Sequence, residues 1–146
     1  MLKTIEPKIL KQGEGEQLRV LVDNITVKVD KSETGGLFTV VETNNEPDAG
    51  VPPHYHTNED EFFYVVEGEV EFMVNGETII ARDGDSVYGP RNIPHAYRFL
   101  KQTKMLVTIV PGGFEEMFRE VHNMADQSNL DAVVATFNKY GVFLVE

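Results

Sequence analysis

The chain contains no cysteine and no tryptophan, and only 13 of its 146 residues are Lys or Arg. The first absence removes disulfides, thiolate nucleophiles, iron–sulfur clusters and cysteine-type zinc sites together, so any metal must be held by histidine and carboxylate. The shortage of cations is set against 24 Asp and Glu, which gives a formal charge of -11 and a pI near 4.7. Such a mean field repels phosphate backbones and anionic lipid surfaces and argues against nucleic-acid and membrane partners. Long apolar runs are missing too. Nothing approaches the roughly 18 apolar residues of a membrane span, and Met1 to Gln12 intersperses charges with single apolar residues instead of forming the apolar stretch of a secretion signal. A cytoplasmic protein is therefore expected, and the glycosylation triplet Asn24-Ile25-Thr26 reads as a chance match.

What the chain does have is a globular balance, 41% hydrophobic and 25% charged residues with a mean hydropathy of -0.25, so residues 1–146 read as a single domain. From Leu18 to about Val110, short β-rich runs alternate with turn residues, the pattern of an all-β sandwich or barrel. The runs are Leu18–Val22, Ile25–Val29, Leu37–Thr43, Phe62–Val66, Val70–Val74, Thr78–Ala81, Ser86–Tyr88, Ala96–Leu100 and Met105–Val110. Asn75-Gly76 signals a tight hairpin because both residues tolerate positive φ. After Pro111 the period changes: Phe114, Met117, Phe118 and Val121, then Leu130, Val133, Val134 and Phe137, repeat at helical spacing. Two short helices are expected within a C-terminal extension of about 112–140, the second capped by Ser128 and left through Gly141.

The chemistry concentrates in Pro52-Pro53-His54-Tyr55-His56-Thr57-Asn58-Glu59-Asp60-Glu61 and in Pro90-Arg91-Asn92-Ile93-Pro94-His95. His54 and His56 lie two apart, so on extended backbone both rings leave the same face and can reach one ion. Glu61 shares its face with Phe63 and Val65, which makes an inward carboxylate plausible, and His95 would arrive from a strand distant in sequence. Imidazole and carboxylate suit zinc, iron, manganese, nickel, cobalt or copper, and four ligands leave one or two positions of a five- or six-coordinate ion open. A lone histidine is more often an ordinary surface or core residue. Three of the chain's four histidines in this spacing are not explained that way. The fourth, His122, reads as a partly exposed helix residue, Arg91 as one end of a surface ion pair, and Glu67, Glu69 and Glu71 as a solvated strand face.

The spacing of His54, His56, Glu61 and Gly68 resembles the first motif of the cupin superfamily, and that of Gly84, Pro90, Asn92 and His95 the second, with 15 residues between them. The resemblance implies a jelly-roll β-barrel with its core at about residues 18–110, one divalent transition metal held by His54, His56, Glu61 and His95, and a homodimer. Three departures stand out. Gly50 lies four positions before His54 where the family has a glycine six before, Asn92 replaces a glycine, and Phe99 replaces an asparagine. The segments Pro111–Glu120 and Lys139–Leu144 look like the C-terminal extension of single-domain cupins grouped with quercetin 2,3-dioxygenases.

By strand alternation Phe63, Tyr97 and Phe99 face the interior, and Met73 is expected to join them, so these four are the candidate lining of a substrate pocket, although each is also ordinary core material. An aromatic, apolar interior matches a planar organic substrate better than a sugar. The expectation is a metal-dependent dioxygenase acting on a small flavonol-like molecule, with Glu61 as ligand and catalytic base. A non-redox isomerase or lyase, and a module that binds a small ligand or metal without turnover, are the alternatives.

Overall fold

A computed structural model of the chain describes residues 5–145. Alternation is the local rule its strands obey. Thr103, Met105, Val107 and Ile109 are buried along one strand, and Glu61, Phe63 and Val65 along another, while the residues between them turn outward. The strands before the midpoint are β1 (Glu16–Val20), β2 (Asp23–Val29), β3 (Thr39–Asn45), β4 (Gly50–His56) and β5 (Asp60–Glu67). Then follow β6 (Glu69–Val74), β7 (Glu77–Arg82), β8 (Ser86–Gly89), β9 (His95–Phe99) and β10 (Thr103–Val110). Helices α1 (Glu115–His122) and α2 (Leu130–Lys139) precede a last strand, β11 (Val142–Leu144).

The strands form two antiparallel sheets, ordered β1-β2-β3-β10-β5-β8 and β11-β4-β9-β6-β7. Strands remote in sequence lie side by side, β3 with β10 and β4 with β9, because the chain passes repeatedly between the sheets; this is the jelly-roll arrangement. Between the layers lie Val65, Val70, Phe72, Phe99, Met105 and Ile109, each 1% exposed or less. The β6–β7 hairpin closes at Val74 and Glu77 through Asn75 (φ 51°) and Gly76 (φ 83°), the left-handed pair that a two-residue turn needs.

Two strands do not announce themselves in the sequence pattern. In β4, Pro52 and Pro53 lack N–H groups, and the pairing of β4 with β9 is irregular between Val51 and His54, where the prolines fall. Strand β11 pairs with the outer edge of β4, Val142 opposite His56 and Leu144 opposite His54. The helix caps differ from expectation in one place. Asn129, not Ser128, caps α2 by accepting from the N–H of Ala132 at 3.2 Å, and the Ser128 hydroxyl donates to Asp126 instead. Gly141 (φ 81°) leaves the helix as expected. Helix α1 packs on β1 and α2 on β11. The fully buried Glu115 carboxylate pins the first turn of α1, accepting from Thr39 Oγ1 at 2.8 Å and from the N–H of Lys31 at 2.7 Å.

Gly50 shows how tightly β4 and β9 meet. A Cβ there would lie 2.2 Å from the Tyr97 carbonyl oxygen and 2.9 Å from Arg98 Cα, both backbone atoms that cannot swing aside. Gly50→Ala should therefore separate the two strands that carry three histidines. The expected loss is about 2 kcal/mol or more in urea unfolding, accompanied by weaker retention of metal; an unchanged midpoint would show that the strands yield freely.

Candidate metal centre

Local strand geometry assembles the site. On β4, His54 and His56 turn inward, 6% and 3% exposed, while Tyr55 between them turns outward and stacks on Phe143. His95 opens β9 directly opposite His54. Glu61 comes from the other sheet, where β5 places it between Ile109 of β10 and Gly89 of β8. Three imidazoles from one sheet thus face one carboxylate from the other. All four side chains offer a donor atom within 4.8 Å of one another. Glu61 Oε1 lies 2.8 Å from His56 Nε2 and 3.2 Å from His95 Nε2.

The outward ring nitrogens fix the tautomers. His54 Nδ1 lies 2.8 Å from the Pro52 carbonyl and His95 Nδ1 3.4 Å from that of Ile93. Carbonyls only accept, so each Nδ1 carries the proton and each Nε2 turns a bare lone pair inward. His56 Nδ1 faces the buried Glu59 carboxylate at 3.4 Å. Glu59 plays a supporting part that the sequence reading did not assign; its place three residues after His56, in the turn before β5, is the signal that pointed there. Among the described residues, buried His95 Nε2 has no hydrogen-bond partner, and Glu61 Oε1 meets only the ring nitrogens of His56 and His95. Lone pairs opposed in a dry interior are costly unless a proton or cation lies between them, and a nitrogen and oxygen donor set of this kind fits a divalent transition metal.

The charges of the metal-free site follow from the same contacts. Burial works against a proton on His56, but the Glu61 and Glu59 carboxylates outweigh it and hold the pKa up at about 9. Burial, reinforced by the neighbouring His95, pushes His54 down to about 4. Burial would raise Glu61, yet His56 and His95 overcome it and keep the carboxyl well below the usual range. One proton therefore resides on His56 against an ionised Glu61.

The surrounding loop holds these elements in place. Asn92 has φ 66°, the left-handed geometry that asparagine shares with the glycine it replaces, and its N–H donates to the His56 carbonyl at 2.7 Å. Arg91 forms an exposed two-pronged pair with Asp60, both contacts at 3.1 Å, and stays out of the site. His122 is exposed, and its Nδ1 accepts from the N–H of Arg19 at 2.9 Å, tying α1 to β1.

The four residues sit on the wall of a cavity of about 290 Å³. Of the pocket residues expected from the sequence, Phe63 and Tyr97 line it. Phe99 is 1% exposed but packs in the core against the Tyr97 ring, away from the cavity lining. Met73 is corrected outright. Val70 and Phe72 take the inward positions of β6, so Met73 falls on the outer face, 42% exposed. The helices supply further lining from the residues that repeat at helical spacing, notably Phe114, Met117, Val133 and Phe137. The apolar stripes of α1 and α2 roof the cavity as well as holding the helices to the barrel.

A cupin domain model matches residues 41–111, the span that holds all four donors. Together with the jelly-roll fold, this match makes the chain resemble the cupin superfamily. Among curated relatives it resembles a quercetin 2,3-dioxygenase of Bacillus subtilis (strain 168), 33% identical over 114 residues. That match covers 77% of this chain and 34% of the relative, so the chain spans about a third of that protein's length. Solved structures agree on the fold. KdgF from Halomonas sp. aligns with a TM-score of 0.68 at 18% identity, over 76% of this chain and 99% of that one. A nucleoside dehydratase of Streptomyces aligns at 0.60 and 23% identity, over 76% and 88%.

Loading a divalent metal must expel the His56 proton, whereas His54 is already neutral at pH 7. Affinity should rise about tenfold per pH unit up to about 9, and calorimetry in buffers of differing ionisation enthalpy should register release of about one proton. Heats independent of the buffer would contradict this charge assignment.

Proposed function

We propose that the protein is a metal-dependent dioxygenase acting on a small aromatic, flavonol-like substrate, with His54, His56, Glu61 and His95 as the metal ligands. The observation that carries the reading is the placement of three imidazoles and one carboxylate on the wall of a largely apolar 290 Å³ cavity. That volume lies near the lower end of the roughly 300–1,000 Å³ usual for small-molecule sites, which suits a compact ring system. The similarity to quercetin 2,3-dioxygenase supports the same class.

A divalent ion bound there would supply Lewis acidity to stabilise a deprotonated substrate hydroxyl. The chain's own residues do the rest. Phe63, Tyr97 and Phe114 wall the ring and exclude water. Glu61 turns Oε1 toward the histidines, which leaves Oε2 as the oxygen to accept a hydroxyl proton. Its carboxyl is held well below the usual carboxylate range by His56 and His95, which makes it a weak base, so the transfer depends on the bound ion lowering the pKa of the substrate hydroxyl.

The rival is a non-redox cupin, favoured by the fold likeness to the nucleoside dehydratase. Among the described residues no Lys or Arg lines the cavity, so an anionic sugar phosphate would lack a counter-charge there.

Oxygen uptake decides between them. Protein loaded in turn with iron, manganese, nickel, cobalt, copper or zinc is expected to consume oxygen with a flavonol for at least one metal. No uptake with any of them would overturn the dioxygenase reading. In the active form, Glu61→Gln should lower turnover about 100-fold or more; if elemental analysis finds metal lost in parallel, Glu61 acts chiefly as a ligand.

A further inference from the structure

The cavity has a second polar region, well away from the metal centre. Thr43 is 3% exposed and lines the cavity, yet among the described residues its Oγ1 has no hydrogen-bond partner. Asp23 lines it too. Its Oδ1 accepts from Asn45 Nδ2 at 2.5 Å, whereas Oδ2 accepts from no described residue. Asn45 is itself 1% exposed and held by the N–H of Asn24 at 2.8 Å, so Asp23 is anchored rather than free to swing into water. Tyr97 adds a phenol that makes no hydrogen bond among the described residues.

Strand register gives the spacing. Ile109 of β10 pairs with Glu61 on one side and Thr39 on the other. Thr43 is therefore two strand spacings from Glu61, about 10 Å, and a further four residues along β3, about 13 Å. Asp23 follows one alternation beyond, since Ile25 pairs with Thr43. Tyr97 follows His95 by two residues on the same face of β9 and lies between the two regions. The buried Thr43 hydroxyl without a partner is costly to maintain in the absence of a ligand group that satisfies it, and the half-buried Asp23 carboxylate and Tyr97 phenol, unpaired among the described residues, line the same mainly apolar cavity beside it.

We propose that Asp23, Thr43 and Tyr97 form a hydrogen-bonding pole that selects aromatic ligands carrying a hydroxyl group remote from the end that meets the metal centre. This rests on the reading of the cavity as the seat of a small aromatic molecule, but not on dioxygenase turnover. The hydroxyl donates to Asp23 and accepts from Thr43 or Tyr97, while the ring fills the apolar stretch between. Burial pushes the Asp23 carboxyl up to about 6 against the opposing effects of Asn45 and Arg19, which is the condition of an anion short of hydrogen-bond donors.

The test compares 2-naphthol with its methyl ether, 2-methoxynaphthalene, by fluorescence titration of the metal-free protein, so that neither metal identity nor turnover enters. 2-Naphthol is expected to bind about tenfold more tightly than the ether, the worth of a hydrogen bond to a charged acceptor. Asp23→Asn and Thr43→Val should each cut that ratio to threefold or less. Thr43→Val keeps the shape of the side chain and removes an unpartnered hydroxyl, so its unfolding midpoint should equal or exceed the parent's. Equal binding of the two ligands, or a ratio unchanged in both variants, overturns the pole. Discrimination by the pole without oxygen uptake on flavonols would retain this inference and reject the dioxygenase reading.

Discussion

One carboxylate facing three imidazoles across the gap between two sheets is the constraint on which the rest of the structure depends. Glu61 is 7% exposed and belongs to a different sheet from the histidines it meets. Burying an anion without compensation costs several kcal/mol, and an unpaired one would be expelled or neutralised. The fold meets that cost with the His56 proton 2.8 Å away. The two layers are thus joined at their centre by charge as well as by the apolar side chains around it, and whatever occupies the site bears on how firmly the sheets hold together.

The histidines can meet this carboxylate only because the backbone beneath them is unusually close. Gly50 lets β4 lie against β9 at the Tyr97 carbonyl, and the two prolines that follow sit where the ladder is already irregular. Strand β11 then covers the far edge of β4, pairing with the very residues that carry His54 and His56. An edge strand bearing two ligands would be free to twist or fray. Covered on both sides it is rigid, which is what a donor set with lone pairs converging on one point demands.

Much of this was legible in the sequence because it rests on local rules. Alternation located nine of the strands, the Asn75-Gly76 pair located a hairpin, and the spacing of His54, His56 and Glu61 drew attention to residues that the fold brings together with His95. What escaped was what local rules do not encode. Strand β4 was hidden by Pro52 and Pro53, whose acceptability depends on a register known only once β9 and β11 are in place. Met73 was misplaced by treating an apolar residue as an inward one, when the parity of Val70 and Phe72 puts it outside. Phe114, Met117 and Phe137 showed their helical stripe plainly. The stripe says only that a face is covered, and a packed core and the roof of a cavity present the same periodicity.

The cavity itself is a concession of stability to purpose. If 290 Å³ of interior were left empty, the loss of packing at about 24 cal/mol per Å³ would reach about 7 kcal/mol, comparable to the whole net stability of an ordinary domain. Water admitted through the opening reduces that figure, but water gains little against walls of Val41, Phe63, Val107 and Phe137. Exchanging those valines for larger side chains would fill the space with no new chemistry required of the chain, and the sheets around it are otherwise packed to completion at Val65, Phe72 and Met105. A fold packed tightly between its sheets yet hollow beside the His54, His56, Glu61 and His95 cluster has room for a molecule, and the polar atoms left unpaired along that hollow are where, on the readings proposed above, such a molecule would present its own polar groups.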